Sequence, residues 1–106
     1  MNFTEAAEGL REAAQILENV QEDAGSTSTY ADINIVVRNL DKLKGYQETL
    51  MGMGYKPLCY VEPRNHLVYV QLKLHGVVIT FTSRVEGDWK FISGNSWVDG
   101  LPLGER

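Results

Sequence analysis

An α+β domain is the fold class this sequence predicts. An N-terminal amphipathic helix leads into a β-α-β-β-β antiparallel-sheet domain, and an irregular, aromatic-containing C-terminal tail follows. Three observations predict it. Apolar residues recur at seven-residue intervals from Phe3 through Leu10 to Leu17. Apolar and polar residues alternate from Leu67 to Thr82, broken once by His75-Gly76. A helical pattern from Leu40 to Met53 separates that run from an earlier strand-like stretch. The chain reads as a single domain in four parts: helix 1–24, linker 25–29, core 30–84 and tail 85–106.

The first helix is expected over residues 3 to 23. Asn2 can cap it, with Glu5 three residues on. Ala6, Ala13 and Val20 interleave with Phe3, Leu10 and Leu17 at spacings of three and four, an a/d pattern. Phe3, Leu10, Leu17 and Val20 are therefore the candidate oligomer face. Glu5, Glu8, Glu12 and Glu22 lie on the far side and form a candidate partner-binding acidic face. Packing onto the protein's own sheet and pairing with another helix are both open to the apolar stripe. Gly25-Ser26-Thr27-Ser28-Thr29 has no periodicity and reads as a linker.

Tyr30 to Arg38 reads as a strand, with Ile33, Ile35 and Val37 on one face. Asn39 can cap the second helix, whose stripe is Leu40, Leu43, Gln47 and Leu50. Gly54 is a candidate left-handed cap at its end. Tyr55 to Val61 is rich in β-formers, and Pro57 places it at an edge or at the start of a strand. Glu62-Pro63-Arg64-Asn65 is turn-like. Val68, Val70, Leu72 and Leu74 share one strand face; Val77, Ile79 and Phe81 share one face of the next. The expected core is Ile33, Ile35, Val37, Leu43, Leu50, Val68, Val70, Leu72, Ile79 and Phe81. Beyond Arg84 periodicity is lost. Trp89, Phe91, Ile92 and Trp97 stand in a polar, Gly-rich tail, where aromatics pin a tail across a core or form a binding patch. Phe91 to Val98 has room for a short strand. Tyr60, Tyr69, Trp89 and Trp97 are the candidate aromatic patch.

The 106 residues carry a formal charge of −4, which does not point to direct nucleic-acid binding. The charge is uneven. Residues 1–31 hold six acids and one base, a balance of −5, and the other 75 residues balance at +1. One cysteine excludes an internal disulfide and a Cys-rich zinc site. No apolar run is long enough to span a membrane. The acidic, amphipathic start does not read as a signal peptide, so a cytoplasmic setting is expected.

Little of the sequence carries chemistry. His66 and His75 flank one strand, nine residues and so roughly 30 Å apart, too far for one metal. Both read as turn residues. Cys59, among Leu58, Tyr60 and Val61, reads as a small buried hydrophobe with no base beside it. Gly52-Met53-Gly54 follows a helix and does not open one, so it is no phosphate loop. Ser93-Gly94-Asn95-Ser96 is not a nucleophile elbow. No catalytic residue, metal site or cofactor is assigned. An enzyme would need His66 or His75 of one subunit to meet a carboxylate of another.

Residues 31 to 84 nevertheless resemble one half of a vicinal-oxygen-chelate (glyoxalase/bleomycin-resistance) domain. The likeness lies in Asp32-Ile33-Asn34-Ile35-Val36-Val37, in Leu40 to Tyr46, and in Leu50-Met51-Gly52-Met53-Gly54-Tyr55-Lys56. The resemblance implies a β-α-β-β-β module and, since such modules pair to form a cleft, a homodimer. It does not bring the family's metal ligands. Where a His is usual on the first strand stand Asn34 or Val36, and where a Glu is usual on the last stand Thr80 and Thr82.

Two functions are expected from this inventory. The first is a non-catalytic acidic interaction protein that binds another protein. Its build is similar to that of phage and mobile-element accessory proteins, among them anti-CRISPRs that block basic grooves of host nucleic-acid machinery. The second is a small-molecule-binding homodimer of two paired modules.

Overall fold

The computed structural model describes residues 1–20, 29–84 and 96–104. Its elements are α1 (Phe3–Asn19), β1 (Ala31–Val36), α2 (Leu40–Gly52), β2 (Leu58–Glu62), a 3-10 turn (Pro63–Asn65), β3 (Leu67–Leu74), β4 (Val77–Arg84) and a one-turn α3 (Ser96–Asp99). The class is α+β, and the central order is β-α-β-β-β.

Each boundary follows from a local signal. Asn2 Oδ1 accepts the Glu5 amide at 2.8 Å and starts α1. Asn39 Oδ1 accepts the amides of Asp41 at 2.8 Å and Lys42 at 3.3 Å and starts α2. Gly54, at φ +94°, takes the left-handed position after α2. His75 and Gly76 both have positive φ, 48° and 88°, the backbone of a primed two-residue hairpin turn. His66, at φ 54°, closes the 3-10 turn. Both histidines are thus turn residues. Helix α1 is shorter than the periodicity predicts. It ends at Asn19, and Val20 is extended at φ −88°, ψ 125°. Residues 21–24 of the expected helix lie outside the described residues, as do positions 25–28 of the expected linker.

The four strands form one sheet in the order β1-β4-β3-β2. The sequence reading expects an antiparallel sheet; the sheet is mixed. The β2–β3 and β3–β4 pairs are antiparallel, and β1 is parallel to β4, from Ala31↔Val77 to Val36↔Thr82. Parity explains the difference. A helical crossover brings the chain back to the end it left, so β2 runs the same way as β1. Two hairpins then reverse direction twice, and β4 again runs with β1. The alternation of side chains carries no information about this.

One sheet face, bearing Ile33, Ile35, Ile79, Phe81, Val68, Val70, Leu72, Cys59 and Val61, meets α2. Leu43 is fully buried there, and Val37, Val61, Val68 and Val70 are nearly so. Leu40, Tyr46 and Leu50 complete the helix side. Of the expected core, Ile33, Ile35, Leu50, Ile79 and Phe81 are half-buried, and Cys59, Val61, Tyr69 and Val98 are buried in addition.

Helix α1 buries no residue. It meets the body at its first turn, where Phe3 packs 5.8 Å from the Tyr46 ring and 6.5 Å from the Phe81 ring. The molecule measures 51 × 29 × 26 Å, with a radius of gyration of 16.4 Å. A compact chain of this length would have about 13 Å, so the shape is that of a small body with a helix held at one end.

At the other end of the chain, Val98 enters the core and residues 102–104 pair with the outer edge of β2. The Val61 amide donates to Pro102 O at 3.0 Å, and the Gly104 amide to Val61 O at 2.7 Å. Gly104 lies so close to Tyr60 that a Cβ would stand 2.6 Å from its ring. The described part of the tail is therefore ordered by helix and bridge, and 96–98 is helical where a strand is expected. The rest of that stretch, 91–95, lies outside the described residues. At the opposite edge β1 pairs with β4 alone among the described residues.

In a urea titration, Leu43→Ala should lower the unfolding free energy by about 2–5 kcal/mol. Met51→Ala, on the exposed side of the same helix, should cost under about 0.5 kcal/mol. Equal losses would mean that α2 is not seated through Leu43.

Candidate functional site

Helix α1 carries an extended apolar surface that the described residues leave uncovered. Taking Phe3, Leu10 and Leu17 as heptad position a, the d positions are Ala6 and Ala13, e are Ala7 and Ala14, and g are Gly9 and Ile16. None is charged. Glu5, Glu8, Arg11, Glu12 and Glu18 all fall at b, c or f. The helix therefore carries an uncharged face four positions wide and an acidic face behind it. Only Ala6 and Ala7 are partly covered, beside the Phe3 anchor. Beyond the anchor the same face continues past the body, with Leu10, Ile16 and Leu17 about half to two-thirds exposed. Phe3, from the candidate oligomer face, turns one side to its own Tyr46 and Phe81. Val20 is exposed but has left the helical geometry. Glu5, Glu8 and Glu12 are exposed together, and Glu22 lies outside the described residues.

Of the candidate aromatic patch, two described members meet and the third lies on the other side of the sheet. Tyr60 and Tyr69 stack at 4.7 Å and 15°, on the sheet face away from α2. There the Tyr69 hydroxyl donates to Glu62 Oε2 at 3.3 Å, and Asn65 Nδ2 donates to Glu62 Oε1 at 2.6 Å. Glu62 is buried, so these bonds replace water on its carboxylate. Trp97 lies with α2 on the other side. Its indole N–H donates to Gln47 Oε1 at 2.8 Å, and Gln47 Nε2 donates to Cys59 Sγ at 3.2 Å. Trp89 lies outside the described residues.

Sequence reasoning missed this indole–amide–thiol relay, which ties α3 to α2 and β2. One signal for it was present: Gln47 interrupts the apolar stripe of α2, and a polar residue on a buried stripe needs a partner. Cys59 is buried, and burial pushes its thiol pKa up, with the Gln47 amide opposing the rise. A protonated thiol in the core is a poor nucleophile.

His66 and His75 sit at opposite ends of β3. Among the described residues no three or more His, Cys, Asp or Glu side chains gather where a metal could be held. No helix among them is long and apolar enough to cross a membrane. No family model, curated protein or solved structure matches the chain.

Because the folded state favours the protonated thiol, Cys59 contributes stability that is complete below the ordinary thiol value, about 8.5. That stability is lost as pH rises beyond it toward the raised folded value. Replacing Cys59 with Ala should flatten the fall in stability between neutral and alkaline pH in urea titrations. An unchanged slope would remove Cys59 from that balance.

Proposed function

We propose that this chain is a non-catalytic interaction protein whose α1 pairs with α1 of a second copy and turns its acidic side outward to a basic protein surface. The observation that carries this reading is a helix with a continuous uncharged face and no buried residue. A 17-residue helix is marginal alone in water and gains most of its stability from packing. A second copy suits the face electrostatically, because every charge on α1 lies at b, c or f and none would meet its twin across an a/d/e/g seam. The small residues Ala6, Ala7, Gly9, Ala13 and Ala14 permit close approach of the two backbones. Phe3 fixes where the helix leaves the body and so sets the angle between copies. With the seam covered, Glu5, Glu8 and Glu12 of both copies remain in water. Such a doubled acidic surface suits a partner that is basic, as nucleic-acid-handling proteins are. The inhibitory role at a host nucleic-acid-handling complex, of the anti-CRISPR kind, belongs to this proposal.

A second reading is favoured by the β-α-β-β-β order together with the edge of β1, which no described strand covers. Two copies joined there would form a paired-module homodimer of the vicinal-oxygen-chelate kind, with the stacked Tyr60 and Tyr69 on the shared face.

Light scattering coupled to size exclusion separates the two. The full chain should be a dimer, and Leu10→Asp with Leu17→Asp should make it a monomer. Slow amide exchange at Val68 and Val70 should persist, since neither substituted residue is buried. A dimer that survives both changes would move the interface to the sheet; a monomeric native chain would sink both readings of assembly. For the acidic face, Glu5→Gln, Glu8→Gln and Glu12→Gln together should abolish capture of a basic partner from host lysate. Capture that is unaffected by these changes and by raised salt would place the partner elsewhere.

A further inference from the structure

We infer that the cleft where β1 and β4 end together binds a small oxyanion, a phosphate or carboxylate on an apolar body, through Arg38 and Arg84. This site is independent of α1 and of the assembly proposed above.

The topology builds it. Because β1 and β4 are parallel and paired up to Val36↔Thr82, with the Val37 amide donating to Thr82 O at 2.7 Å, both strands finish at one rim. Two residues past that last pair, one strand brings Arg38 and the other Arg84. Carboxyl ends of parallel strands are where open α/β sheets place their ligands, since the following connections diverge there. Here the divergence leaves an open cleft of about 680 Å³, lined among the described residues by Val36, Val37, Arg38, Asn39, Leu40, Ser83 and Arg84. That volume falls within the usual range for small-molecule sites.

Among the described residues the lining carries one sign of charge: it includes Arg38 and Arg84 and no acidic residue, and neither arginine forms an ion pair with a described residue. Holding two like charges at neighbouring register costs energy that an anion between them would reverse. Guanidinium forks also match phosphate and carboxylate oxygens in geometry. Ser83, paired with Val68 and 1 % exposed, belongs to the packed floor of the cleft. The positive end of α2 adjoins the same rim. Its Asn39 oxygen is already occupied by the amides of Asp41 and Lys42. The helix end therefore adds field, and the arginines make the contacts.

The apolar half of the ligand follows from the other wall. Val36 is 76 % exposed although it ends a strand, and Leu40 stands beside it in the cleft. A bare inorganic ion would leave both in water.

The test uses the full chain at low ionic strength, titrated with phenyl phosphate, benzoate and inorganic phosphate while amide NMR shifts are followed. Saturable shifts confined to 36–40 and 83–84 are expected with phenyl phosphate or benzoate; whichever binds more tightly identifies the anion. Arg38→Gln and Arg84→Gln, both at exposed positions, should each weaken binding about tenfold or more, the usual effect of losing a charged hydrogen bond. No saturable shift with any probe would overturn the site, as would binding that persists in both arginine variants. Inorganic phosphate binding as tightly as phenyl phosphate would overturn the apolar part of the assignment.

Discussion

The seating of Leu43 between α2 and the sheet is the contact on which the rest of this molecule depends. A four-stranded sheet of this size has one face to bury and one crossover helix to bury it. Leu43 is the side chain of that helix that reaches the centre, against a floor of Val61, Val68 and Val70. Everything else is positioned from there. Tyr46, one turn on, meets Phe81 at 5.3 Å and forms with it the platform for Phe3. Gln47 stands close enough to Cys59 and Trp97 to join them. Asn39, at the start of the same helix, sets one wall of the cleft between the strand ends. One buried leucine thus orients the projecting helix, the tail and the arginine pair together.

The two ends of the chain are held by different physics. Among the described residues the N-terminal helix is held at its first turn, by the ring contacts of Phe3 and the partial cover of Ala6 and Ala7, which orient it without excluding water from its length. The C-terminal segment is held by burial of Val98, by an indole hydrogen bond and by two backbone bonds to β2. Losing the tail would expose the edge of β2 and leave Gln47 without its indole partner, so it belongs to the fold. Losing the contacts of α1 beyond its first turn would change little inside the body. The helix is therefore free to be specialised for contact with something outside it.

Much of the architecture was legible in the sequence because it follows from local rules. The alternation of Val68, Val70 and Leu72 fixed a strand face, Asn39 fixed a helix start, and His75-Gly76 fixed a hairpin. What was not legible is what depends on two distant segments meeting. Whether β1 lies beside β2 or β4 is decided by the crossover, and the side-chain period of β1 is the same in either case. Trp97 and Gln47 are 50 positions apart, and neither alone announces the other. The same is true of the cleft: nothing local relates Arg38 to Arg84 until the parallel pairing of their strands sets them side by side. The separation of Trp97 from the two tyrosines has a related reason. Tyr60 and Tyr69 share a face by register, whereas Trp97 reaches the other side of the sheet through a segment whose path no periodicity describes.

The sheet's two margins are unequal. Residues 102–104 occupy the margin of β2, whereas β1 meets a strand on one side only among the described residues. A ribbon with one margin closed has a single valence. Strand addition can join it to one neighbour through β1, and the joined pair then presents only closed margins. The tail bridge thus acts as a chain terminator, so that if copies of this protein ever pair edge to edge they stop at two and do not propagate into a fibre.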